Sequence, residues 1–271
     1  MDPYGYPILM ALLLWWFSTG VIIFLDGMSS RTYPLSMAAA SALAVAALFG
    51  IAWSGTQDSV AAAYCGFGCA LLVWGWNEMA FLMGFLTGPS KEPCPHGQPI
   101  GQRFKSSFLA LAYHEAALLM SGAAILLSSP DGAGSLAFKT YLLLFLMRLS
   151  TKLNIFLGVP NVAVEFLPPH LQYLKSYFAV RSMNLLFPVS ITAGTLVCGA
   201  LIWQAAAPTT SPSQSIGATL LATLAVLGIV EHWFLVLPIS INSLWGWGLA
   251  SHKQTEIQER EQRAARASGG A

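Results

Sequence analysis

Residues 71–84 read LLVWGWNEMAFLMG, an apolar run with one carboxylate, Glu78, inside it. Insertion scales put an aspartate at the centre of a membrane helix at roughly +2.5 to +3.5 kcal/mol, so such a group faces a bundle interior and pairs with something. The surroundings say which kind of bundle. Of the 271 residues 55% are hydrophobic and only 9% charged, with mean hydropathy +0.61, whereas soluble domains carry roughly 25% charged residues. The chain therefore reads as an all-α, polytopic membrane helix bundle.

A span needs about 20 mostly apolar residues. Seven are expected: Tyr6 to Leu25, Pro34 to Trp53, Ser59 to Thr87, Ser107 to Ser129, Ser135 to Gly158, Tyr177 to Gln204, and a seventh within Ser215 to Trp247 with Pro238 as its kink. The first lacks a basic leader and is expected to stay rather than be cleaved. Prolines and glycines in GPSKEPCPHGQPIGQRFKS (88–106) keep most of that loop out of a helix. The segment VPNVAVEFLPPHLQYLKS (159–176) is too polar and proline-rich to span and reads as an interfacial or re-entrant piece. Residues 1–250 form one transmembrane domain on this reading, and 251–271 a charged cytoplasmic tail.

Seven spans put the termini on opposite sides. Arg31, Lys91, Arg103, Lys105, Arg148, Lys152, Lys175, Arg181, Lys253, Arg260, Arg263 and Arg266 then share one side, and only Lys139 is left for the other. The positive-inside rule makes the N-terminus external and the C-terminus cytoplasmic. A net charge of +1 with no dense basic stretch gives no footing for a nucleic-acid partner. Cys65, Cys69, Cys94 and Cys198 form no convincing disulfide framework and are expected to be packing thiols.

On this topology Glu78 lies about ten residues, roughly 15 Å, before the inner end of its span. His114–Glu115 and Glu231–His232 fall at a similar depth, with Arg148, Lys152, Asn154, Arg181 and Asn184 just below and Asn77 beside Glu78. Two readings stay open. In the first, the three carboxylates pair with Arg148, Lys152 and Arg181 in a polar network, because buried charges need partners. In the second, Glu78, His114, Glu115, Glu231 and His232 supply ligands to iron, manganese or zinc, as facing helices do in metal-bearing bundles. The adjacent His–Glu and Glu–His pairs diverge by about 100° on a helix, so only one member of each would reach Glu78. A proton relay is a third, weaker use of the same groups.

Glu165 and His170 are interfacial ligand candidates, for a metal or the magnesium of a chlorophyll, set against an ordinary headgroup-level histidine. Cys94 and His96 lack a second pair and make a poor zinc site. Most of the nine tryptophans read as belt and packing residues, with Trp74 and Trp76 placed to keep water from Glu78.

WNEMAFLMGFLTGP (76–89), AYHEAALL (112–119), KLNIFLGVPNVAVEFLPPHLQYLKSYF (152–178) and EHWFLVLP (231–238) resemble the photosynthetic complex assembly protein PuhE family of phototrophic bacteria over nearly the whole chain. The resemblance implies a multi-pass protein of the bacterial inner membrane, expressed with reaction-centre genes. It implies help in assembling the reaction centre and core antenna and a link to bacteriochlorophyll supply, with those subunits or pigment-synthesis proteins as partners. Two functions from different classes follow: an assembly factor that binds such subunits or bacteriochlorophyll, or a membrane metalloenzyme acting on a tetrapyrrole or its isoprenoid tail. Proton or ion transport is disfavoured, since neither inverted repeats nor a broken-helix pair is visible.

Overall fold

The computed structural model describes residues 4–95, 97–162, 167–238, 244–249 and 251–252, apart from the side chain at 133. His96, Glu165 and nearly all of the expected tail lie outside the described residues. Among the described residues there are seven long α-helices and no strands: α1 (Gly5–Asp26), α2 (Tyr33–Ser54), α3 (Val60–Leu82), α4 (Ile100–Ser128), α5 (Leu136–Leu157), α6 (Leu186–Ala206) and α7 (Pro212–Phe234). All seven are long and apolar enough to cross a bilayer, as a multi-pass membrane protein requires.

Local chemistry starts several of them. Ser59 and Ser135 accept hydrogen bonds from the amides of Ala62 and Phe138. Ser211 and Gln214 form a capping box ahead of α7, and Pro212 fills its first turn, where no amide partner is needed.

Burial identifies the centre. In α7, 72% of the spanning window is buried, against 11–33% elsewhere, so α7 is enclosed while most other helices keep a lipid-facing side. Small residues permit this. Gly217 lies against Leu136 and Gly228 against Met147, both on α5. Beside α7 runs α3, which packs on α1, α2, α4, α5 and α7. One apolar cluster joins α2, α3, α4 and α5 through Ile51, Val73, Leu118 and Tyr141. Another joins α1, α3 and α7 through Ala11, Phe67 and Leu220.

Several expected boundaries shift. The third span ends at Leu82, not Thr87, so Glu78 is one turn from the end of its helix. Gly84 (φ +81°) reverses the chain, and the Leu86 amide bonds back to the Ala80 carbonyl. Thr87–Gly88 then lodges against α4, where the Thr87 carbonyl accepts from the His114 amide. The fourth helix starts at Ile100, two turns before the expected Ser107. Arg103 in those turns donates to the Phe156 carbonyl and stacks its guanidinium 4.2 Å over the Phe156 ring, so they pack on the end of α5. At 29 residues α4 runs about 43 Å and outreaches the hydrocarbon core.

The sixth span begins at Leu186, not Tyr177. Asn184 stops it extending backward: its Oδ1 accepts from the amides of Leu186 and Phe187, and its Nδ2 donates to the carbonyls of Asn154 and Gly158. Arg181 therefore sits in the connection, exposed, beside Gly158. The seventh helix ends at Phe234, so Glu231 and His232 lie in its last turn rather than mid-span, and Pro238 follows the helix instead of kinking it.

Where the interfacial segment was expected, a 3₁₀ helix runs over Pro169–Tyr177. Its three-residue repeat buries Leu171, Leu174 and Tyr177 on one side, against Phe81, Cys94 and Ala110.

Candidate functional site: an apolar cavity with ion pairs in its wall

A cavity of about 660 Å³ opens among α1, α3, α4, α5 and α7, near the ends that carry the basic loops. Leucine, phenylalanine and tryptophan side chains form most of its wall. Five charged residues interrupt it: Glu78, Glu115, Arg148, Lys152 and Glu231. Pockets of this size and make-up, apolar with a few convergent polar groups, are the usual form of small-molecule sites.

Each carboxylate has a donor. Arg148 Nη2 lies 3.0 Å from Glu78 Oε2, and Lys152 Nζ lies 2.7 Å from Glu115 Oε1. Arg148 and Lys152 are one turn apart on α5, so a single helix face supplies both cations. Glu231 Oε1 accepts from the Trp15 indole at 3.0 Å.

The adjacent histidines turn away, as the 100° step requires. His232 Nδ1 lies 2.7 Å from the Gly228 carbonyl and so carries a proton, and Nε2 lies 2.9 Å from Ser150 Oγ. Ser150 passes the chain to Ser190 Oγ at 2.8 Å, and Asn154 Nδ2 donates to both the Ser150 carbonyl and Ser190 Oγ. These groups clamp α5, α6 and α7. His114 is wholly buried, its ring 4.6 Å from that of Phe81. Neither of its ring nitrogens has a hydrogen-bond partner among the described residues. Asn77 ties α3 to α4 by exchanging hydrogen bonds with Ser121.

Among the described residues, no three His, Cys, Asp or Glu side chains converge closely enough to hold a metal ion. The carboxylates meet cations and an indole rather than one another.

The sequence model described as "Protein of unknown function (DUF3623)" matches residues 1–256. The chain belongs to the DUF3623 family. It is 37% identical over 247 residues, 90% of each chain, to a Rhodobacter capsulatus protein described as "Uncharacterized 30.4 kDa protein in puhA 5'region". No solved structure matches it.

Other expected positions in this DUF3623 protein fall outside the cavity. His170, only partly covered, hydrogen-bonds the Leu82 backbone at the end of α3, and this partial burial together with Lys91 holds its pKa below the ordinary value. It acts as a helix cap. Trp74 lines the cavity with Glu78, but Trp76 turns to α2 and donates to Ser41 Oγ. The four cysteines are free.

Two features were missed from the sequence. One is Trp15 as the partner of Glu231. The other is the packing of residues 244–249 and 251–252 along α1. Trp245 lies edge-on to Trp15 at 5.2 Å and donates to the Trp16 carbonyl, while Trp16 donates to the Leu244 carbonyl. Trp247 packs beside Gly20, Trp16 and Phe17. The contact ends at Asp26, 2% exposed, whose Oδ1 lies 2.8 Å from His252 Nε2.

That last pair gives a pH dependence. The hydrogen bond to Asp26 raises the His252 pKa above its ordinary 6.5, against a smaller opposing effect of burial. A raised folded-state pKa stabilises fully below the unfolded value and loses its contribution as pH climbs through the folded one. Thermal unfolding in detergent should therefore show a higher Tm at pH 6 than at pH 9. His252→Asn should remove most of that difference, and an undiminished difference in the variant would refute the assignment.

Proposed function

We propose that this protein is a membrane-embedded assembly factor for the photosynthetic reaction centre and core antenna, linked to bacteriochlorophyll supply. The observation that carries the reading is the relative at 37% identity over 90% of both chains, described as lying in the puhA 5′ region of Rhodobacter capsulatus. The resemblance of segments 76–89, 112–119, 152–178 and 231–238 to the PuhE family agrees with it. The ion-paired carboxylates favour a binding role over a metal-centred enzyme. Residues 1–250 act as one domain in the bacterial inner membrane, with the basic loops and the 251–271 tail on the cytoplasmic side by the positive-inside rule. The cavity then opens toward the inner leaflet, where newly made subunits and pigments meet.

Deleting the gene in its own host tests this. Absorption spectra of membranes from semi-aerobic and phototrophic cultures should show reduced reaction-centre and core-antenna bands, restored by a plasmid copy. Normal complexes under every growth condition would overturn the proposal.

A further inference from the structure

The wall of the cavity selects its ligand by charge. Among the described residues, three carboxylates (Glu78, Glu115 and Glu231) and two cations (Arg148 and Lys152) line it. Both cations already face carboxylates. Even with one carboxylate protonated, no positive charge is left for an incoming anion. In an apolar, low-dielectric setting an uncompensated charge is costly, so fatty acids, lipid phosphates and isoprenoid diphosphates are poor ligands.

Hydrogen-bond donors, by contrast, are in surplus. A guanidinium carries five N–H groups and an ammonium three. Arg148 spends one on Glu78 and Lys152 one on Glu115. The Arg148 side chain is 38% exposed and that of Lys152 20%, and both line the cavity. The open space thus meets spare donors with no net positive charge behind them. Such a site suits oxygen acceptors on an uncharged molecule. Around it, Trp15, Trp74, Leu143, Leu144, Phe108 and Leu227 offer an apolar channel.

We infer that the cavity binds a neutral, carbonyl-bearing amphipath with a long apolar tail, its carbonyl oxygens accepting hydrogen bonds from Arg148 and Lys152. An isoprenoid quinone and an esterified tetrapyrrole share that chemistry. The inference rests on the cavity alone and survives or fails independently of the assembly role.

Trp15, Trp74 and Trp245 line the cavity, so bound quinone or pigment should quench part of the intrinsic fluorescence. The test titrates purified full-length protein in detergent with decylubiquinone, with bacteriochlorophyll a and with dodecanoate. Saturable quenching by either neutral probe, at least about tenfold tighter than dodecanoate binds by competition, is the expected result. Quenching by decylubiquinone alone assigns the site to quinones, by bacteriochlorophyll alone to pigments, and by both to the shared class. Equal affinity for dodecanoate, or no saturable binding of either neutral probe, overturns the inference.

Two variants locate the site. Arg148→Gln should weaken binding by about tenfold, the loss of a hydrogen bond from a charged donor. Because that change also strips Glu78 of its partner, Gly75→Leu provides an independent check. Gly75 lines the cavity in mid-α3, and a Cβ there would meet only Ile22 Cδ1 at 3.6 Å, so leucine fills the space without disturbing the charges. The variant should melt like the parent and lose binding. Retained affinity in a folded Gly75→Leu protein would place the ligand elsewhere and refute the assignment.

Discussion

Arg148→Met is expected to destabilise the protein by about 2 to 3 kcal/mol, and adding Glu78→Leu should restore most of the loss. Removing one partner of a buried ion pair costs roughly 3–5 kcal/mol, because the other charge is left uncompensated. Arg148 is 38% exposed to the cavity, which places the expected figure below that range. Glu78 supplies the rest of the logic. Its carboxylate is buried, Oε2 meets Arg148 at 3.0 Å, and Oε1 has no hydrogen-bond partner among the described residues. Without the guanidinium Glu78 loses its ion-pair partner and must be desolvated alone or protonated. Replacing both members by apolar residues of similar size removes the charge and its penalty together, a change that is often neutral. Reversible unfolding in mixed micelles would read the difference. A single variant no less stable than the double would mean that the pair does not hold α3 to α5.

Glu78 also shows what could be read in advance. A carboxylate in an apolar run has to be paired; Arg148 and Lys152 were among the candidates, expected just below it, and they form ion pairs with Glu78 and Glu115. The spacing argument likewise separated Glu115 from His114 and Glu231 from His232, and the side chains do diverge. The partner of Glu231 was not legible. Tryptophan in a span usually marks the interface or fills space, and nothing in WW at 15–16 distinguishes a donor to a residue 216 positions away. The ends of α3, α4 and α7 were misplaced for a related reason. Hydrophobicity measures residence among apolar neighbours, and the turn at 83–88 resides there without being helical because it is covered by α4. The first turns of α4 have the reverse character, polar by composition yet helical, since Arg103 finds Phe156. Composition locates the membrane; hydrogen-bond closure locates the helix, and the two part company where a loop packs inside the bundle.

Gly88 is where that packing is tightest, and Gly88→Val is expected to cost about 3 kcal/mol, toward the upper end of what overpacking does. A Cβ on Gly88 would overlap the Leu109 carbonyl oxygen and the Ala110 carbonyl group. Both belong to the backbone of α4, which cannot rotate aside as a side chain would. The loop must instead lift away, and the bond from the His114 amide to the Thr87 carbonyl would lengthen with it. Lifting the loop also loosens the neighbouring packing of Phe81 against Ala110, Leu171 and Leu174. Gly101, in the first turn of α4, provides the control: nothing lies within 4 Å of a Cβ there, and its backbone is ordinary helix. Gly101→Ala should be neutral or stabilising by up to about 1 kcal/mol, through helix propensity. Melting temperatures of the two variants in the same detergent should differ widely, with Gly88→Val far below. If Gly88→Val melts with the parent, the 83–88 turn does not rest on α4, and the covered, non-helical end of α3 that puts Glu78 at the cavity wall would have to be redrawn.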